Sequence, residues 1–154
     1  MIPRLVAPLW GPAVTAALVA MPLALRDRLP DPMATHWGPG SAPDGSMPFA
    51  VGVAAQVALW GVIWLVLLAA AVRGLRSRAA RVLWWGSLTG GGLFVLGLGT
   101  TTLLANLDAP TWREARLHGL YVVAVICAAV AVAALGGHLG RGAPDEPSPE
   151  GEEP

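Results

Sequence analysis

No aspartate, glutamate, lysine or arginine falls inside any of the four long apolar runs of this chain, Leu5–Leu25, Phe49–Val72, Val82–Leu104 and about Leu117–Leu135. That absence argues against proton-coupled or ion-coupled transport, which needs ionisable groups at membrane depth. Lysine is missing altogether, so the ten basic residues are all arginine, and the single cysteine excludes an internal disulfide. Cys127 lies in the fourth run and reads as a small packing residue. No nucleophile, base and oxyanion-stabilising group stand together, so neither enzymatic activity nor a cofactor is expected. Charged residues amount to 13% of the chain against 55% hydrophobic, too little polar surface to cover a soluble globule of 154 residues.

What is present is membrane-length hydrophobicity. A helix rises about 1.5 Å per residue, so about 20 apolar residues cross the hydrocarbon core. The expected fold class is all-α: a four-helix transmembrane bundle over residues 1–139 with a structured loop, 26–48, between helices 1 and 2. The first run exceeds a cleavable signal core and lacks a clean cleavage site, so it is expected to stay as a signal-anchor. Residues 140–154 are rich in proline and acid and without an apolar anchor, which predicts a disordered tail. That tail is either a solubilising end or a docking peptide for a basic partner. The lipid bilayer is the principal partner, and no nucleic-acid partner is expected, because arginine clustered beside apolar runs follows the positive-inside bias.

The segment 73–81 carries Arg73, Arg76, Arg78 and Arg81 with no acid, and must be a loop on the cytoplasmic side. The first and third connections balance arginine with acid and are expected outside, giving an N-in, C-in topology. Thr111-Trp112-Arg113-Glu114 fits a capping box, which predicts that helix four starts near Trp112 at the headgroup level. His118, with Tyr121 one turn on, is a candidate neighbour of the first outer loop.

At 100° per residue Gly86, Gly90, Gly97 and Thr101 share one face of the third span, a small-residue surface that lets another helix approach. Gly92 and Gly99 lie nearly opposite, so this span is expected at the bundle centre, and its smooth face suits either intramolecular packing or a homo-oligomer. In the second span Gln56 is an amide at membrane depth, expected to bond Thr100, Thr101, Thr102 or Asn106. The same polar line, Gln56, Thr101 and Asn106, is what a small transporter or transporter subunit would use.

The one distinctive motif is the first connection, Leu29-Pro30-Asp31-Pro32-Met33-Ala34-Thr35-His36-Trp37-Gly38-Pro39-Gly40-Ser41-Ala42-Pro43-Asp44-Gly45. Its prolines hold neighbours extended and its glycines supply turns, so a compact loop is expected. His36 and Asp44, with Asp31, are weak candidates for a divalent metal, which a metal-dependent membrane enzyme would require. His36 is otherwise a structural histidine or a sensor of external acidity.

The order Leu29-Pro30, His36, Gly40 and Asp44-Gly45 between two apolar runs, over about residues 8–66, resembles the small domain of unknown function at the front of SdpI-like membrane proteins. That family includes bacterial immunity and signalling proteins that protect against a secreted peptide toxin. The resemblance implies a multi-pass protein of the bacterial plasma membrane. Its extracytoplasmic loop, with Pro30, His36, Trp37, Gly40, Asp44 and Gly45, would recognise a peptide, an envelope component or a membrane-protein partner.

Overall fold

The structure is a computed structural model and describes residues 2–145. Four helices are long and apolar enough to span a membrane: α1 (Ile2–Ala24), α2 (Phe49–Val72), α3 (Arg78–Asn106) and α4 (Gly119–Gly140). The apolar runs account for them directly, since a peptide group in hydrocarbon must be satisfied within its own segment. The chain is a membrane protein. Between α1 and α2 stand two strands, β1 (Met33–Trp37) and β2 (Pro43–Met47), paired antiparallel. The all-α expectation is therefore corrected by a β-hairpin. Helical periodicity is blocked there by the prolines, and Pro39, with Gly40 at φ 88°, turns the chain back on itself.

Helix α3 is the centre. Gly86 and Gly90 lie against the Ala133 and Ala129 backbone of α4, and Gly97 against Val125 of α4. On the opposite side Gly92 lies against Trp10 of α1 and Trp60 of α2, and Gly99 against Gln56 of α2. Bare backbone on both sides lets large side chains of the neighbours pack onto it.

The core of the bundle, formed by Val14, Leu18, Trp60, Trp84, Leu88 and Val95, is stitched by indoles. Trp60 Nε1 donates to the Gly11 carbonyl at 3.1 Å, Trp10 Nε1 to Leu88 at 2.9 Å and Trp84 Nε1 to Leu67 at 2.6 Å. For Trp10, Trp60 and Trp84 these bonds between helices remove the penalty of an unpaired donor in hydrocarbon, whereas Trp64 Nε1 is buried without a partner among the described residues. By contrast α4 buries little beyond Ala129 and Gly137, leaving Leu120, Val123 and Val130 on its open flank.

Helix α4 does not begin near Trp112. Trp112–Glu114 forms a separate single turn, the next residues are extended, and α4 starts at Gly119. The capping box is not made: the Thr111 hydroxyl donates to the Glu114 carboxylate at 3.1 Å, and neither side chain caps a backbone N–H. Arg116 N–H instead donates to the Ala105 carbonyl at 3.1 Å, which ties the chain to the end of α3 before a helix can propagate.

At the opposite end Ser77 caps α3, its Oγ accepting from Ala80 N–H at 3.1 Å. The expected tail starts at Gly140, but Gly140 is still helical and residues 141–145 fold back onto this end. Asp145 accepts from Arg78 N–H at 2.7 Å and pairs with Arg81 at 3.1 Å. Helix N-terminus and arginine together attract the first acid of the tail. The rest of the expected disordered segment, 146–154, lies outside the described residues.

Candidate functional site

The hairpin carries the exposed pair His36 and Asp44 on its two strands, and its strand irregularities decide what it presents. Ala34 faces Ser46 and His36 faces Gly45, so Thr35 is an extra residue on β1; Trp37 faces Pro43, so Asp44 is an extra residue on β2. Bulges re-aim side chains. Here the second one brings the Asp44 carboxylate to His36 Nδ1 at 2.5 Å, with the two side chains 74% and 52% exposed. Gly45 and Gly38 lie directly on this pair: a Cβ at Gly45 would stand 3.1 Å from His36 Cβ, and one at Gly38 2.9 Å from Asp44 Oδ2. The glycines of the motif therefore make room for its acid and imidazole.

Asp31 is not part of this pair. One of its oxygens takes Arg26 at 2.8 Å and the other accepts Phe49 N–H at 3.0 Å, filling an orphan donor at the start of α2. The expected grouping of Asp31 with His36 and Asp44 is not realised, and no cluster of three metal-ligating side chains occurs among the described residues. Two ligands fall short of a protein metal site.

Asn106, at the end of α3, holds the hairpin onto the bundle. It is fully buried, its Oδ1 accepts from Ala34 N–H at 2.8 Å, and its Nδ2 donates to the Ala34 carbonyl at 2.9 Å and to Thr102 at 2.9 Å. The amide thus pairs with β1 as a neighbouring strand would. Asn106 is consequently not the partner of Gln56, correcting that expectation, and the Thr100 and Thr101 hydroxyls bond carbonyls of their own helix. Gln56 makes no hydrogen bond among the described residues. Leu29, Met33, Phe49 and Leu103 form a small apolar cluster under the hairpin that completes the mounting.

A second tie joins the two connections at this end. Arg28 donates to both oxygens of Asp108 at 2.9 and 2.5 Å, while Asp108 N–H donates to the Arg28 carbonyl at 2.8 Å. The hydrogen bond from Arg28, aided by its charge, holds the Asp108 carboxyl below the usual carboxylate range against the opposing effect of desolvation. A depressed carboxylate stabilises above its ordinary value, and that contribution is lost as pH falls through the depressed one. The melting-temperature difference between wild type and Asp108→Asn in detergent should therefore be constant near neutral pH and vanish toward strongly acid pH. It should also be small, because the pair is exposed. A difference that grows on acidification would contradict this.

Between the hairpin and the helices lies a cavity of about 210 Å³, lined by Met33, Thr35 and Met47 of the hairpin, Gln56 of α2, and Gly99 and Thr102 of α3. It borders the half-exposed flank of Leu59 and Met47, so it opens sideways. The Gln56 amide, with Thr35 and Thr102, is the polar part of a mostly apolar recess, and the two methionines give it adaptable walls. Trp37 Nε1 is buried without a partner among the described residues, a further spare donor in the hairpin. His118 and the hairpin turn residues Gly40 and Ser41 line a separate cavity, and the His118 ring meets Tyr121 edge-on at 5.7 Å.

The tie between Asn106 and Ala34 and that between Arg28 and Asp108 join residues 72 and 80 positions apart. Sequence reasoning missed both, and no local pattern signals them. Comparison with models of protein families, with curated proteins and with solved structures finds no match to this chain.

Proposed function

We propose that this is a non-enzymatic multi-pass protein of the bacterial plasma membrane that recognises an extracytoplasmic peptide or membrane-protein partner through its hairpin, in immunity or signalling. The observation that carries the reading is a preorganised, exposed His36–Asp44 pair on a hairpin locked to α3 by the Asn106 amide. A site that is already rigid loses little entropy on binding. The cavity beneath it, with apolar walls and the Gln56 amide, suits an apolar side chain of the bound segment together with one polar group.

In this reading the hairpin end faces outward and both termini are cytoplasmic. The arginine loop at the other end of α2 and α3 supports that orientation. Occupancy would be reported inward by α3, an unbroken helix from Arg78, beside Asp145, to Asn106, beside Ala34. The resemblance to the front domain of SdpI-like proteins supplies the immunity or signalling role. Cells carrying His36→Ala or Asp44→Ala should lose the protective or signalling phenotype while the protein stays in the membrane at wild-type level; wild-type behaviour from both variants overturns the proposal.

The unpartnered Gln56 over a cavity favours one second reading, a small transporter or transporter subunit. It is distinguished by Gln56→Leu, which would abolish solute flux while assembly is retained.

A further inference from the structure

The four arginines at the hairpin end fall into two classes. Arg26 and Arg28 are neutralised by Asp31 at 2.8 Å and Asp108 at 2.5 Å. Arg113 and Arg116 have no carboxylate within ion-pair distance among the described residues, and both line a cavity of about 380 Å³ between the hairpin turn and the start of α4. Two unpaired guanidinium groups on one cavity are an arrangement that attracts an anion.

The other charged or titratable groups on this cavity are Glu114 and His118. Glu114 is engaged by the Thr111 hydroxyl at 3.1 Å, so with histidine neutral the lining carries one net positive charge, two arginines against one glutamate. Arg113 lies over the Trp112 ring at 4.6 Å, which orients the guanidinium while leaving its N–H groups available. Ser41 and Gly40 form the opposing wall, Ser41 in the left-handed region at φ 63°.

Location selects the anion. The cavity sits where α4 begins, and immediately along α4 the apolar flank is bare, with Leu120 75% and Val123 55% exposed. An acyl chain can lie on that flank while its headgroup reaches the arginines. We propose that this cavity binds the phosphate of an anionic phospholipid, with Arg113 and Arg116 as its donors. The inference is independent of the recognition role of the hairpin.

The test is amide exchange of the segment 112–121 in the full chain, reconstituted in phosphatidylcholine nanodiscs with increasing phosphatidylglycerol. Phosphatidylglycerol should slow exchange in this segment in wild type. The mole fraction for half protection should rise about fivefold with each of Arg113→Gln and Arg116→Gln. Arg116→Lys, which keeps the charge but not the two-pronged donor, should fall between them and wild type. Protection of the arginine loop, 73–81, should be the same in all variants, which also verifies folding. Wild-type protection that is indifferent to phosphatidylglycerol overturns the proposal, as does protection unchanged in both glutamine variants. Equal protection by millimolar inorganic phosphate in pure phosphatidylcholine overturns the lipid assignment in favour of a soluble anion.

Discussion

Replacing Asn106 with leucine is expected to detach the hairpin from α3 and to destabilise the chain by several kcal/mol. Leucine matches the volume but offers no hydrogen bond, so Ala34 N–H and C=O lose their side-chain partner, and Ala34 itself is fully buried. A buried group left unsatisfied costs about 1–3 kcal/mol, so the two together amount to about 2–6 kcal/mol. Asn106→Asp at neutral pH sets an ionised, fully buried carboxylate oxygen against the Ala34 carbonyl and should be at least as destabilising as the leucine. Thermal unfolding in detergent reads the total, and exchange at the Ala34 amide reads the local release. Wild-type melting of Asn106→Leu with the Ala34 amide still protected would show that the tie contributes nothing. Recognition through His36 and Asp44 should weaken in parallel, because both belong to the strands that Asn106 holds.

A comparably large effect is expected from Gly90→Leu. A Cβ at this position would stand 2.5 Å from Ala133 Cβ and 2.8 Å from the Ala129 carbonyl, and the backbone of α4 cannot yield to it as a flexible side chain would. Helix α4 has to move away along its contact with α3, losing the close approach on which association in lipid depends. Overpacking costs about 1–3 kcal/mol where the structure can adjust, and a leucine driven against main chain belongs at or above the upper limit. The adjacent Gly91 is the internal comparison, since a Cβ there meets nothing within 4 Å. Gly91→Ala should leave stability unchanged or raise it by about 0.5–1 kcal/mol through helix propensity. Titration of both variants with a denaturing detergent separates the cases, and equal midpoints would refute the assignment of Gly90 to a packed interface.

These two residues differ in how they could be read beforehand. Gly90 belongs to a row, Gly86, Gly90 and Gly97, whose shared helix face follows from the 100° step alone; the close approach of α4 to that face is a local consequence of missing side chains. Asn106 is a single polar residue at the end of an apolar run, and nothing nearby in sequence marks its partner 72 residues away. The misassignment of Gln56 has the same origin. Depth in the membrane placed it level with the threonines of α3, yet the Thr100 and Thr101 hydroxyls bond carbonyls of their own helix, and the amide lines a cavity together with Thr102. The start of α4 failed for a related reason, because Thr111 and Glu114 have the right spacing for a cap but a long-range bond from Arg116 to Ala105 holds the chain extended.

By itself the amino-acid sequence determined that four segments become membrane-length helices and that α3 offers small-residue faces to its neighbours, because both depend on composition and short-range period. It also determined that the first connection is compact, through proline and glycine. Only the tertiary structure decided that this connection is a bulged hairpin with Asp44 turned onto His36, that Asn106 and the pair of Arg28 with Asp108 fasten it, and that Arg113 and Arg116 have no carboxylate partner among the described residues. Those features depend on hydrogen bonds and charges between elements brought together by helix packing, and a local pattern carries no record of which distant partner a polar group will meet.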